Sequence, residues 1–211
     1  MVKRLSVALS VMLHPLLMPS LLFALLFYYA PVIAQPINPK AANYLLLAIF
    51  ITTFVLPMIS ITALRFTDVI KGSKLDAYSI PRRQDRVLPF FFTSIFYLIT
   101  TYMFFSKFRV NQILVVILAA ITLIIFLVSV FSLFTKVSSH AASAGALIGF
   151  LLGLGYKYPD TQMLWPLVIS LLLGGLVMSA RLYLNIHRPI DVLLGSLLGF
   201  TVSISALLFF A

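Results

Sequence analysis

Residues 179–199 read Ser-Ala-Arg181-Leu-Tyr-Leu-Asn185-Ile-His187-Arg188-Pro189-Ile-Asp191 and then Val-Leu-Leu-Gly195-Ser-Leu-Leu-Gly199. Ionisable residues crowd together here between two apolar runs, in a chain that holds only five acidic residues and three histidines. Each run is long enough to cross a hydrocarbon core of about 30 Å as a helix. A charge near the bilayer centre costs about 2.5–3.5 kcal/mol on insertion scales, so such groups serve a purpose or sit at the interface. Arginines are common interfacial anchors, but neither anchoring nor topology asks for Asp191 at this place. The stretch thus reads as a turn between two membrane helices, and as the first candidate for chemistry.

Working outward, the composition settles the class. The chain has 211 residues, 62% hydrophobic and 9% charged, too few polar groups to cover a soluble globule of this size. Its apolar runs lack the ten-residue alternation of an outer-membrane barrel. The expected fold is all-α, a polytopic transmembrane helical bundle of about six to seven spans, with no internal repeat and a single domain over residues 1–211. The net charge of +10 implies contact with anionic lipid headgroups or an anionic substrate. Nucleic acid is the weaker partner, because no soluble basic region exists to hold it. With no cysteine, disulfides, thiolate chemistry and Cys-ligated metals are excluded.

The expected spans cover residues 5–33, 41–64, 87–106, 110–134, a fifth that opens within residues 135–145 and reaches about 156, then 162–183 and 189–210. The first is read as a retained span, being about twice the length of a signal-peptide core. Within it His14 is read as an incidental polar residue beside a proline kink. Residues 65–86 form the longest polar segment and end in Arg82-Arg83-Gln-Asp85-Arg86. This is either a positive-inside loop or a phosphate clamp, since guanidinium groups grip oxyanions bidentately. Val137-Ser138-Ser139-His140 opens the fifth span. Two spans separate the arginine cluster from His140, and two more separate His140 from His187. Parity therefore puts all three on one face of the membrane.

Arginines, two histidines and one aspartate suit phosphoryl transfer. Arginines bind phosphate and neutralise the charge that grows in its transition state, one such donor being worth about 3–4 kcal/mol. One histidine attacks phosphorus. Asp191, four residues after His187, lies one helical turn away, where a hydrogen bond would fix the imidazole tautomer and leave the other nitrogen as nucleophile. His140 would protonate the departing alkoxide. No metal or other cofactor is required, and the few carboxylates disfavour a dedicated metal site.

These motifs resemble signatures of the type 2 phosphatidic acid phosphatase superfamily, which includes lipid phosphate phosphatases and vanadium haloperoxidases. Arg181, five residues, His187, three residues, Asp191 is similar to the third signature. Val137-Ser138-Ser139-His140 is similar to the second, Pro-Ser-Gly-His, with Val and Ser in place of Pro and Gly. The resemblance covers about residues 74–199. It implies that His187 becomes the phosphohistidine with Asp191 as its partner, that His140 is the leaving-group acid, and that Arg181, Ser138 and the backbone at Ser139 bind phosphate. The first signature, Lys, six residues, Arg-Pro, is matched less closely: Arg86 with Pro89 takes the arginine role, Arg82 supplies a second cation, and Lys74 remains the alternative. Glycine at the Ser139 position would allow closer backbone approach to phosphate.

The expected function is a metal-independent membrane phosphatase acting on a phosphomonoester or diphosphate of a lipid, such as phosphatidate, phosphatidylglycerol phosphate or a polyprenyl phosphate. A non-catalytic protein that binds or transports anionic lipids is the alternative. An intramembrane prenyltransferase lacks its paired Asp-rich motifs here. The expected location is a bacterial inner (plasma) membrane. Eleven of the 15 Lys and Arg fall on the His-bearing face; six of them have a possible phosphate role, so charge leans only slightly toward a cytoplasmic site. Small residues such as Gly149, Gly153, Gly174 and Gly175 pack helices within one chain as well as between chains, which leaves the oligomeric state open.

Overall fold

The computed structural model describes residues 2–67, 84–108 and 110–210. Arg82 and Lys74 lie outside them. Among the described residues ten α-helices run in chain order: α1 (Val2–Met12), α2 (Met18–Tyr29), α3 (Pro31–Ala34), α4 (Pro39–Phe50), α5 (Leu56–Phe66), α6 (Gln84–Ser106), α7 (Gln112–Phe134), α8 (Ser139–Lys157), α9 (Leu164–Tyr183) and α10 (Pro189–Phe210). No strand occurs among the described residues. Among the described residues seven segments are long and apolar enough to cross a membrane, namely Val2–Tyr29, Pro39–Phe66, Asp85–Ser106, α7, α8, α9 and α10. The chain is an integral membrane helical bundle, as its composition requires.

Prolines shape the first two spans. His14 precedes Pro15, and the residue before a proline is pushed out of the helical region. It adopts φ −63° and ψ 135°, so α1 stops at Met12 and a short 3-10 turn, Pro15–Leu17, leads into α2. The first expected span is therefore broken close to its middle. The second is continuous because a π-helical turn, Ile51–Val55, joins α4 to α5. Pro57 has no N–H to give the Thr53 carbonyl four residues back. The Tyr97 hydroxyl of α6 donates to that carbonyl instead, at 3.1 Å.

Small residues decide which helices touch. Gly145, Gly149 and Gly153 repeat every fourth residue along α8, and Gly195, Gly199 and Ser203 do so along α10. This spacing lines one face of each helix and lets the backbones approach. A methyl group at Gly199 would run into the Ala142 carbonyl oxygen, and one at Gly145 into the Ser196 carbonyl oxygen. Gly149 and Gly153 thus pack inside this chain. Gly174 meets Ala144 and Ile148 at ordinary van der Waals distance, whereas Gly175 faces open space. α6 and α7 form a second antiparallel pair, tied by Thr101 to Thr122 at 3.0 Å and by the Ser129 hydroxyl donating to the Val87 carbonyl, also at 3.0 Å.

Candidate active site

Each helix that carries a site residue begins or ends at the site for a local reason. α9 closes in a Schellman motif: the Ile186 N–H reaches the Arg181 carbonyl at 3.3 Å and the Asn185 N–H reaches the Leu182 carbonyl at 2.9 Å. The motif needs a left-handed residue, and Asn185 supplies it with φ 53°; Asn is among the few side chains that tolerate this region. His187 follows two residues later. α10 then starts on Pro189, whose missing N–H costs nothing in the first turn.

Asp191 stands third in α10 and reaches back, as the acidic partner of a capping box does. Its Oδ2 accepts the Arg188 N–H at 2.9 Å and its Oδ1 accepts the Arg188 guanidinium at 3.2 Å. The expected hydrogen bond between Asp191 and His187 is therefore not made in this structure. The carboxylate is drawn to the unsatisfied backbone donor at the helix start, and His187 Nδ1 is buried with no partner among the described residues. The Asp191 carbonyl also accepts the Ser138 N–H at 3.1 Å, which joins the second motif to the third. Ser138 caps α8, its hydroxyl accepting the Ala141 N–H at 3.4 Å. The positive end of the α8 dipole consequently faces the site.

A cavity of about 150 Å³ opens among these elements. Its polar end is lined by His14, Arg65, Arg86, Ser139, His140, Arg181 and His187, and no acidic side chain lines it among the described residues. Its body is apolar, bounded by side chains such as Leu22, Phe90, Ile121, Val128 and Phe150, with Tyr97 at depth. Tyr97 lies eleven residues beyond Arg86 on α6, and Phe150 eleven beyond Ser139 on α8, so the chamber runs about 16 Å below the polar end at the helical rise. Arg86, His140, Arg181 and His187 are each no more than 6% exposed. Cations buried this deeply cost free energy unless an anion or hydrogen-bond partners compensate them. Among the described residues no three of His, Cys, Asp and Glu group as metal ligands.

A second basin, about 520 Å³, abuts the first on the side of the turn between α9 and α10. Lys136, Asn185, Arg188 and Asp191 line it, and His187 lines both spaces. Burial, followed by the Arg86 and Arg181 guanidiniums, Lys136 and His140, holds His187 down to about 2. Its imidazole is thus neutral, with a lone pair available. Lys136 is also lowered, by burial first and the Arg86 charge next.

The tautomer of His140 follows from its partner. Nε2 lies 2.9 Å from the Ser10 carbonyl oxygen, and a carbonyl only accepts, so Nε2 carries the proton. Nδ1 is the nitrogen left for a ligand, and it is buried without a partner among the described residues. Nothing in the sequence points to Ser10. Nor does it mark His14, whose ring packs edge-on against His140 with centroids 5.8 Å apart. Far from being incidental to a kink, His14 is carried into the chamber by that kink. Arg65, which the sequence places at the start of the polar segment, also lines it. Of the expected site residues, Arg86, Ser139, His140, Arg181 and His187 share the chamber; Ser138 and Asp191 support its wall from behind.

Residues 130–211 match the sequence model of the PAP2 superfamily. The PAP2 match begins near the end of α7 and includes His140, Arg181, His187 and Asp191, the residues whose motifs resemble that family. It covers less than half of the chain, and Arg86, Arg65 and His14 precede it. No curated protein matches the chain, and no solved structure does.

Proposed function

We propose that the protein is a membrane lipid phosphatase of a bacterial inner membrane that cleaves a phosphomonoester or diphosphate of a lipid without a metal. The observation that carries this reading is the two-part chamber, with guanidiniums and imidazoles at one end and an apolar body about 16 Å deep at the other. An amphiphile with a phosphate head fits both parts; a free phosphorylated sugar or nucleotide would leave the apolar body unfilled. PAP2 similarity at the histidine-bearing end supports the phosphatase class.

In this scheme Arg86 and Arg181 hold the phosphoryl oxygens and offset their growing charge. The neutral His187 attacks phosphorus, and the bond from phosphorus to the lipid oxygen breaks. His140, holding a second proton on Nδ1 once the anion is bound, gives it to the leaving oxygen. Water then attacks the phosphohistidine, its proton passing to His140 Nδ1, and orthophosphate leaves with His187 restored. Exchange of Asp191 from the exposed Arg188 to His187 Nδ1–H would steady the imidazolium character that develops during attack.

Purified protein in EDTA, mixed with phosphatidate and with a polyprenyl phosphate in detergent micelles, tests this directly. Orthophosphate release that is lost in His187→Ala is the expected result. Lipid binding without release from either substrate would overturn the enzyme reading in favour of an anionic-lipid binder.

A further inference from the structure

His14 takes no part in the scheme just given, yet it stands in the same chamber as Arg86, Arg181, His140 and His187. Pro15 explains how it comes to be there. The pre-proline position forces an extended backbone, and from it the His14 side chain turns back over the 3-10 turn, where Nδ1 accepts the Leu16 N–H at 3.3 Å. A ring nitrogen that accepts carries no proton, so in neutral His14 the proton sits on Nε2. Nε2–H is then the only polar atom of the side chain that a ligand in the chamber can use. The neighbouring Ser10 carbonyl meanwhile holds His140. The end of α1 and the turn after it therefore bring one anchor and one donor to the same place. No lysine lines the chamber among its described residues, so non-guanidinium donors to a bound oxyanion must come from imidazole, hydroxyl or backbone.

We propose that His14 is a further residue of the phosphate site, its Nε2–H donating a hydrogen bond to an oxygen of the phosphoryl group held by Arg86 and Arg181. A neutral donor fits here because three guanidiniums already line the chamber and a further cation would repel them. The inference rests on the lipid-phosphatase reading for the reaction, but its anion contact is measurable apart from turnover. The competing account is that His14 serves only as the cap of the 3-10 turn.

Two substitutions separate the accounts. In His14→Asn the side-chain oxygen replaces Nδ1 as the cap acceptor, Asn being among the best capping residues, and no donor reaches the place of Nε2. In His14→Gln the amide nitrogen occupies roughly the place of Nε2 and the cap is lost. With phosphatidate in mixed micelles, His14→Asn is expected to fold like wild type and lose about 10²- to 10³-fold in kcat, the usual loss for one oxyanion donor. His14→Gln is expected to keep most of the rate at lower thermal stability. Orthovanadate, followed by the melting temperature it induces, should bind in the same order: wild type, then Gln, with Asn weakest. Wild-type turnover and vanadate binding in His14→Asn, or equal losses in two folded variants, would overturn the inference. Absence of turnover in the wild type would overturn the phosphatase reading instead; vanadate binding would then decide His14 alone, and absence of binding by all three proteins would sink it.

Discussion

Gly199 and Gly175 offer one substitution at two helical glycines with opposite expected results. At Gly199 an added methyl meets the Ala142 carbonyl oxygen, the Ala142 carbonyl carbon at 2.8 Å and the Ala146 amide nitrogen at 2.8 Å. All are backbone atoms of α8, so no side chain can rotate away. Overpacking of this kind costs about 1–3 kcal/mol, and rigid obstacles put Gly199→Ala at the upper end. Clearing them requires α8 and α10 to part by about 1 Å, and a misplacement of that size costs about 10²-fold in rate, since His140 is carried by α8 while His187 is fixed by the start of α10. Gly175→Ala meets nothing within 4 Å, and removing a helical glycine gains up to about 1 kcal/mol. Equilibrium unfolding in mixed detergent micelles, followed by circular dichroism, gives the two stabilities, and phosphate release gives the rates. Similar stability and full activity for both variants would refute the close approach of α8 and α10.

Other expectations follow from the same geometry. His187 is held near 2 in the folded protein, below its ordinary 6.5, so the unfolded chain takes up a proton first as pH falls. Stability is then fully present above about pH 6.5 and declines toward the folded value by at most about 1.4 kcal/mol per pH unit. Between pH 7 and 5, with no phosphate present, wild type should lose about 2 kcal/mol more than His187→Asn; parallel profiles would contradict a buried neutral His187. Tyr97→Phe strands the Thr53 carbonyl that Pro57 frees, at a cost of about 1–3 kcal/mol in unfolding experiments, while turnover of a small aryl phosphate should stay near wild type. His140→Ala should slow cleavage of a lipid alkyl phosphate far more than of an aryl phosphate, whose leaving group needs less protonation; equal losses would remove His140 as the acid. A cytoplasmic site puts Ser106→Cys outside, so an impermeant thiol reagent should label it in intact cells, and failure to label would reverse the orientation.

The bundle was legible because hydrophobic span length is a local property, and parity of spans brought Arg86, His140 and His187 to one face. What escaped the sequence depends on long-range placement. His14 looked incidental because no acidic residue accompanies it nearby in sequence; its partners are His140, more than a hundred positions away, and the backbone of Leu16. The His-Pro pair predicts a kink, but not the direction of the ring. Spacing and the family resemblance both pair Asp191 with His187. Its position third in α10 favoured the competing use, capping the Arg188 N–H, because a carboxylate near the start of a helix is drawn to unsatisfied amides. Gly149 and Gly153 were ambiguous between internal and external packing until Phe200, Ser203 and Leu207 were seen against them.

His187 lines both the apolar chamber and the polar basin beside it, so if the protein cleaves a lipid phosphate, the two products would be born at a boundary between media. The freed alcohol would keep its tail among Leu22, Val128 and Phe150. Orthophosphate would find Lys136, Asn185 and Arg188 on the other side. Each product would then leave down its own partition gradient, and neither would have to cross the path of the next substrate. A lid would add little to such a site, because phase preference itself separates arrival from departure.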